Sequence, residues 1–388
     1  MLVLKNVDVV DGNEGAPVRG TTVVVEGNRI VSIGGEAGPE HQSVDCSGKT
    51  VIPGLINCHG HVMLEGGATD DSNLHDPVAY RAIVAGLRVH RILKAGITSF
   101  RDVSGVEYVE LSLRRAINEG LIPGPRLRCC AMRLTMTGGF FGNIGREADG
   151  ADDMRKAVRE NRRAGADLIK MVASGGQRSI MGCEPGPCEL SFEELQTGAQ
   201  EAARFGLPSA AHAVGTRAIK NAIRAGITSV EHGNYLDQEA VDMLLERGTY
   251  LVPTLSVTNA YVQHGRDLGL PQNAIDQAKR SLEAALTSYD LARREGVAIA
   301  FGTDAGTAYN PHDDVLTEIK LRLSAGETPM GAIVSATKTA AALCRLEDVG
   351  TIAPGKLADL VVVDGDPLTT VEVLGSPYLV IKDGKVVG

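Results

Sequence analysis

The chain has 388 residues, 43% apolar and 22% charged, with a formal net charge of −9. That length exceeds one minimal domain and suits a barrel of about 250–300 residues with a satellite. No basic run occurs, aromatics are only 4% and Trp is absent, which argues against nucleic acid, an anionic membrane surface or a base-stacking platform as partner.

Taken in chain order, LVLKNVDVV and TTVVVEGNRIVSIGG read as strands, with Gly27-Asn28 at a tight turn. The other end reads likewise: LADLVVVDGD, then YLVIKDGKVVG with Asp383-Gly384 at a hairpin turn. Two strand-rich ends around a different middle predict one small β-sandwich domain from 1–52 and 351–388, with Pro53 and Pro354 near its borders. The middle, 53–350, repeats one phrase. A helical stretch ends in Gly and a short apolar strand follows, at Gly96, Gly165, Gly206, Gly226, Gly248 and Gly296. Gly just past a helix, then a buried parallel strand, is the αβ junction of an α/β protein. With VIPGLINCHGH and PRLRCCAMRLT the phrases make eight strands alternating with helices, which favours a closed (β/α)8 barrel over an open sheet. No G-x-G-x-x-G follows the first strand, so a dinucleotide fold is not expected.

The chemistry lies where apolar strands give way to an ionisable residue. The first strand yields His59 and His61, the fourth Lys170, the fifth His212, the sixth His232 and the eighth Asp304. In such barrels the active site assembles at the C-terminal ends of several strands. His59 and His61 sit two residues apart and point to one side of their strand, as two nitrogen ligands for one metal ion. His212 and His232 end adjacent strands and would serve a second ion. Lys170, in DLIKMVAS, is costly to bury as an ammonium. A carboxylate can neutralise it, the side chain can reach solvent, or CO2 can convert it to a carbamate that bridges two cations. Asp304, in GTDAG, suits an N-cap of the following turn, a metal ligand or a proton acceptor.

In this order and spacing PGLINCHGH, the strand-four lysine, AAHA, EHG and GTDAG resemble the amidohydrolase superfamily. SATKTAAALCRLEDVGTIAPGKLADLVVVDGDPL is similar to its imidazolonepropionase/Xaa-Pro dipeptidase-like branch. The resemblance implies His59, His61, Lys170 and Asp304 at one ion, Lys170, His212 and His232 at the other, and N6-carboxylysine at Lys170. Zn2+ is the default metal for an imidazole-rich site, with Fe, Co and Mn open. Dipeptidase-like relatives often carry TGGH where this chain has TMTGGFFGN, so Phe140 replaces a polar contact and points to a more apolar substrate.

The expected function is hydrolysis of an amide in a small substrate, a dipeptide or N-acyl amino acid, by a hydroxide bridging two metals. Asp304 would take and return the proton, and His232 or Tyr235 would help hold the oxyanion. The alternatives are a carbamate, urea, lactone or phosphotriester substrate, or hydrolytic deamination; a scaffold that had lost catalysis would be expected to lack a ligand. Gln177 and Arg178 are candidates to meet a substrate carboxylate, and His264 and His312 to touch substrate from later loops, each with an ordinary loop role as the other reading. His41, His75 and His90 have no positional argument. Arg101-Asp102 is read as a structural ion pair under the site, with a functional role equally open.

The seven cysteines, Cys46, Cys58, Cys129, Cys130, Cys183, Cys188 and Cys344, follow no regular spacing and are expected reduced. Cys183 and Cys188 could form half a zinc clip, but no second pair completes it. No secretory leader is read in MLVLKNVDVVDG and no run of about 18 apolar residues occurs. A cytoplasmic protein is expected, with association into homo-oligomers open.

Overall fold

The computed structural model describes residues 1–35, 42–68, 76–140, 142–176 and 188–388. Five strands come first: β1 (Leu2–Val9), β2 (Val18–Glu26), β3 (Arg29–Ile33), β4 (Gln42–Asp45) and β5 (Lys49–Pro53). The middle supplies β6 (Leu55–Gly60), β7 (Ile97–Asp102), β8 (Arg126–Cys129), β9 (Leu134–Thr135), β10 (Arg146–Glu147), β11 (Ile169–Val172), β12 (Ser209–Ala213), β13 (Ser229–His232) and β14 (Tyr250–Val252). The chain closes with β15 (Leu360–Asp364), β16 (Leu379–Lys382) and β17 (Lys385–Val386).

The two chain ends form one sheet in the order β17-β16-β15-β5-β1-β2-β3, with β4 also beside β1. β5 and β15 join them, antiparallel, with Val51 opposite Val362. Leu4, Val7, Val23, Ile30, Val51, Val362 and Ile381 share a fully buried apolar cluster. Both hairpins form where expected. Asp383 and Gly384 both have positive φ (49° and 76°), the geometry of a type I′ turn, and a Cβ on Gly384 would lie 2.0 Å from the Gly27 carbonyl oxygen.

The middle strands run parallel in two sheets, β6-β7-β8 and β10-β9-β11-β12-β13-β14. Backbone contacts outside the ladders span the gaps between them. Asp167 N–H donates to the Cys129 carbonyl at 2.8 Å on one side. On the other, residues 299–305 bridge Leu251 to Ile299 and Gly60 to Ala305. This eighth staggered segment is held by Cys58 N–H to Phe301 O and Asp304 N–H to His59 O, each 2.8 Å. It is expected as a strand but forms no continuous ladder, because Gly302 passes close to His59 and Asp304 adopts a left-handed φ of 60°. The predicted first strand also divides at Gly54. Residues up to Pro53 pair with β15 and those from Leu55 pair with β7.

Helices between the strands bury one face each. Thr216–Ala225, for example, buries Ala218, Ile219, Ala222 and Ile223, a helical repeat packed in the main core cluster. All six junction glycines take positive φ, from 62° to 99°, which lets each chain turn directly from helix into strand. Among the described residues no helix is long and apolar enough to cross a membrane.

Candidate metal centre

Asn57 distorts the first barrel strand. Its side-chain oxygen accepts from His59 N–H at 3.1 Å and Thr303 N–H at 3.2 Å, and its amide donates to Thr303 Oγ1 at 2.8 Å. The ladder with β7 shifts register between Asn57 and Gly60, a bulge of the kind that aims side chains near a site. Gly60 lies against Phe100, whose Cζ a Cβ would meet at 2.3 Å, so the residue between the two histidines must be small. His59 Nε2 and His61 Nε2 then lie 3.4 and 2.8 Å from Asp304 Oδ1. One ligand atom from each of these three buried residues lies within 4.8 Å of the others.

His59 Nδ1 lies 2.7 Å from Glu231 Oε2. Glu231, at 0% exposure, also receives both its oxygens' hydrogen bonds from Arg101 Nη2, at 2.8 and 2.9 Å, and one from Ser229 Oγ. Burial alone would raise its carboxyl; Arg101 and then His59 overcome that and hold it at about 2. An anionic Glu231 fixes His59 with Nδ1–H outward and the Nε2 lone pair toward Asp304. His232 is oriented in the same way by Thr254, with Nδ1 2.7 Å from Thr254 Oγ1. Its ring lies 4.3 Å from that of His212 and 5.0 Å from that of His59, centre to centre. His232, Thr254 and Asp304 all hold positive φ (73°, 47° and 60°), backbone that non-glycine residues seldom adopt and that concentrates at functional sites.

Burial pushes the His61 imidazole down to about 4 and that of His212 to about 3, and drives His232 well below its usual range. All three are therefore neutral lone-pair donors near neutral pH. Asp304 stays ionised: burial opposes this, but His59 and His61 hold it well below the usual carboxylate range. Lys170 is 3% exposed, and no described residue hydrogen-bonds its ammonium. Burial lowers it to about 8 against the pull of Glu231 and Asp304.

His59, His61, Lys170, His212, His232 and Asp304 line one cavity, together with Leu64, Arg133, Phe140, Val172, Val214, Val257, Tyr261 and Thr307 among the described residues. Phe140 packs its ring 5.2 Å from that of His212. Tyr235 is half-buried and lies outside this lining, its N–H donating to Val214 O at 3.2 Å. His264 also lies outside it, half-exposed and stacked on Tyr309 at 4.4 Å. His312 is buried behind the site, with Nε2 2.9 Å from the His61 carbonyl. Gln177, Arg178, His41, His75 and Cys183 fall outside the described residues.

Two readings of the sequence change. Arg101 and Asp102, adjacent on β7, point to opposite sides. Arg101 pairs with Glu231, while Asp102 accepts from Val62 and Ser104 N–H. Asp304 caps no helix; the next one begins at Leu316. Glu231, Thr254 and Asn57 were not read from the sequence as parts of the site. An acid inside the apolar phrase SVEH was the available signal for Glu231, since a buried carboxylate requires a partner.

The donor set fits divalent metal. The buried His212 Nε2 and His61 Nδ1 have no hydrogen-bond partner among the described residues, while the carboxylate, three neutral imidazoles and an oriented His59 converge on one space. Such a cluster at the C-terminal mouth of a (β/α)8 barrel defines a metal-dependent hydrolase. The chain belongs to the Amidohydrolase family, which it matches over residues 50–387. It is 30% identical to ochratoxinase of Aspergillus niger over 96% of this chain and 84% of that protein. A solved Xaa-Pro dipeptidase with bound methionine in the active site superposes with TM-score 0.90 and 32% identity, covering 99% of both chains. A prolidase complexed with N-methylphosphonate-L-proline gives 0.89 and 31%, covering 99% of this chain and 98% of its own. The family and branch resemblance drawn from the sequence motifs is borne out.

Proposed function

We propose that this hydrolase cleaves the amide bond of a small dipeptide or N-acyl amino acid, using two divalent ions, zinc by default. His59, His61, Lys170 and Asp304 would hold one ion, and Lys170, His212 and His232 the other. The observation that carries the reading is the convergence of these six side chains on one cavity whose remaining wall is largely apolar. The similarity to a dipeptidase and a prolidase favours the amide class.

Lys170 has the chemistry for carboxylation. Lowered to about 8, its amine is neutral in a useful fraction of molecules near neutral pH, and the neutral Nζ adds to CO2 with release of one proton. The product carries two oxygens and a negative charge, which removes the cost of a buried ammonium without a carboxylate partner. Bound divalent ions would polarise the substrate carbonyl and acidify water. Asp304 accepts the proton released on attack and returns it to the departing amine nitrogen. His232, with Nδ1 engaged by Thr254, would offer Nε2 to the second ion. Phe140, Leu64, Val257 and Tyr261 exclude water and receive an apolar substituent.

Elemental analysis with a library of dipeptides and N-acyl amino acids tests the reading. About two metals per chain with release of free amino acid is the expected result. Two metals without amide cleavage would move the substrate to a carbamate, urea, lactone or phosphotriester. Fewer than one metal would overturn the two-ion assignment.

A further inference from the structure

The loop that carries Phe140 is held mainly by carboxylates. From Thr137 to Phe140 every backbone N–H is engaged. Thr137 N–H donates to Asp149 Oδ1 at 3.0 Å, Gly138 N–H to Glu147 Oε1 at 2.9 Å and Gly139 N–H to the Met136 carbonyl at 3.0 Å. Phe140 N–H donates to both oxygens of Glu189, at 2.9 and 3.1 Å. Asp149 and Glu147 lie close by in sequence, whereas Glu189 comes from beyond β11. Its own N–H donates to the Ala173 carbonyl at 3.0 Å, just past β11, and Ala173 N–H donates to the His212 carbonyl at 2.8 Å. Glu189 therefore registers Phe140 against the two strands that carry Lys170 and His212. Gly139 does not take positive φ, yet it must be glycine: a Cβ there would lie 2.8 Å from Glu189 Oε2 and 2.4 Å from Thr135 Oγ1. The Phe140 ring lies 5.2 Å from the His212 ring and directly on Gly176, where a Cβ would meet its Cζ at 2.1 Å.

We infer that Glu189 is a specificity-positioning residue: by holding the Phe140 N–H it fixes the ring as an apolar wall beside His212, and the substrate group lodged there is an aryl or branched alkyl group. A hydrogen bond from a backbone N–H to an ionised carboxylate is shorter and stronger than one between neutral groups. Two such oxygens on one N–H, packed on Gly139, restrict where the ring can sit. Glu189 itself lies outside the described cavity lining, so it acts through Phe140. The inference rests on the amide-hydrolase reading for which bond is cleaved, but not for the wall.

Calorimetry on the metal-loaded protein tests it with benzohydroxamate and acetohydroxamate, which share a chelating group and differ in phenyl against methyl. Glu189→Ala is expected to cut the preference for the phenyl probe by roughly 3–10-fold, the worth of an aromatic contact, with metal content and the methyl probe's affinity intact. Glu189→Gln keeps one acceptor and is expected to restore most of that preference. Phe140→Ala should cut it by the same factor and the double variant no further, because both changes remove one wall. Equal losses for both probes, or losses that multiply in the double variant, would overturn the positioning role. Hydrogen exchange at the Phe140 amide needs neither ion nor substrate. It is expected to quicken about 10-fold in Glu189→Ala, and an unchanged rate would also overturn the role. Gly139→Ala, whose Cβ displaces the carboxylate from the same N–H, carries both measurements if Glu189→Ala does not fold. A phenyl preference that depends on Glu189 in a protein that cleaves no amide would uphold the wall and sink the amide reading. Amide cleavage with no such dependence would do the reverse.

Discussion

The two sides of the candidate metal centre are stabilised differently. His59, His61 and Asp304 already contact one another, and Glu231 with Arg101 continues that contact into the barrel. On the other side His212 and His232 meet only edge to edge, His212 Nε2 has no hydrogen-bond partner among the described residues, and Lys170 approaches as a buried cation. A carboxylate makes the first side self-consistent. The second acquires its anion only if Lys170 is carboxylated, which couples that side to metal and CO2.

The largest expected effect is on the first side. Asp304→Asn should lower turnover by about 10^3-fold, in the range for loss of a general acid-base group. Full turnover with metal still bound, measured by steady-state kinetics and elemental analysis, would remove Asp304 from proton transfer. Glu231→Gln breaks the continuation behind it. The variant leaves Arg101 buried beside a neutral group, so urea unfolding should show a loss of roughly 3–5 kcal/mol, and metal affinity should drop about 10–100-fold.

Changes on the second side should be separable from these. Lys170→Met is expected to reduce metal content from about two toward one per chain, without destabilising the metal-free fold, because a buried ammonium is removed. Unchanged stoichiometry would end the bridging assignment. Thr254→Val should cost about 10-fold in affinity for one ion only, through a mis-oriented His232; an equal effect on both ions would count against two distinct sides.

A further effect is on pH dependence. The folded state holds His61 at about 4 and His212 at about 3, against 6.5 in a free imidazole. The unfolded chain therefore takes up protons first as pH falls, and this contribution to metal-free stability is complete above about 6.5 and lost progressively toward pH 4 and then 3. Urea midpoints from pH 7 to 4 should fall accordingly. A flat profile would show that the imidazoles are not held neutral by burial.

The repeated helix-Gly-strand phrase made the barrel legible, because an αβ junction requires a left-handed backbone and a buried apolar run in a fixed order. The same local logic exposed His59, His61, His212, His232 and Asp304, each an ionisable residue ending an apolar strand. The turn residues Asp383 and Gly384 were legible for a similar reason: few residues tolerate their positive φ. What remained hidden joins residues far apart in the chain. Glu231 meets His59 and Arg101 across the barrel, Thr254 turns His232, Asn57 replaces ladder contacts with Thr303, and Arg133 reaches the cavity from β8's continuation. Local sequence determined which residues arrive at the barrel mouth, since strand period and helix ends are set within a few residues. Only the tertiary structure decided which nitrogen each histidine presents and where the positive charge stands, because those depend on partners brought together from separate strands of the barrel.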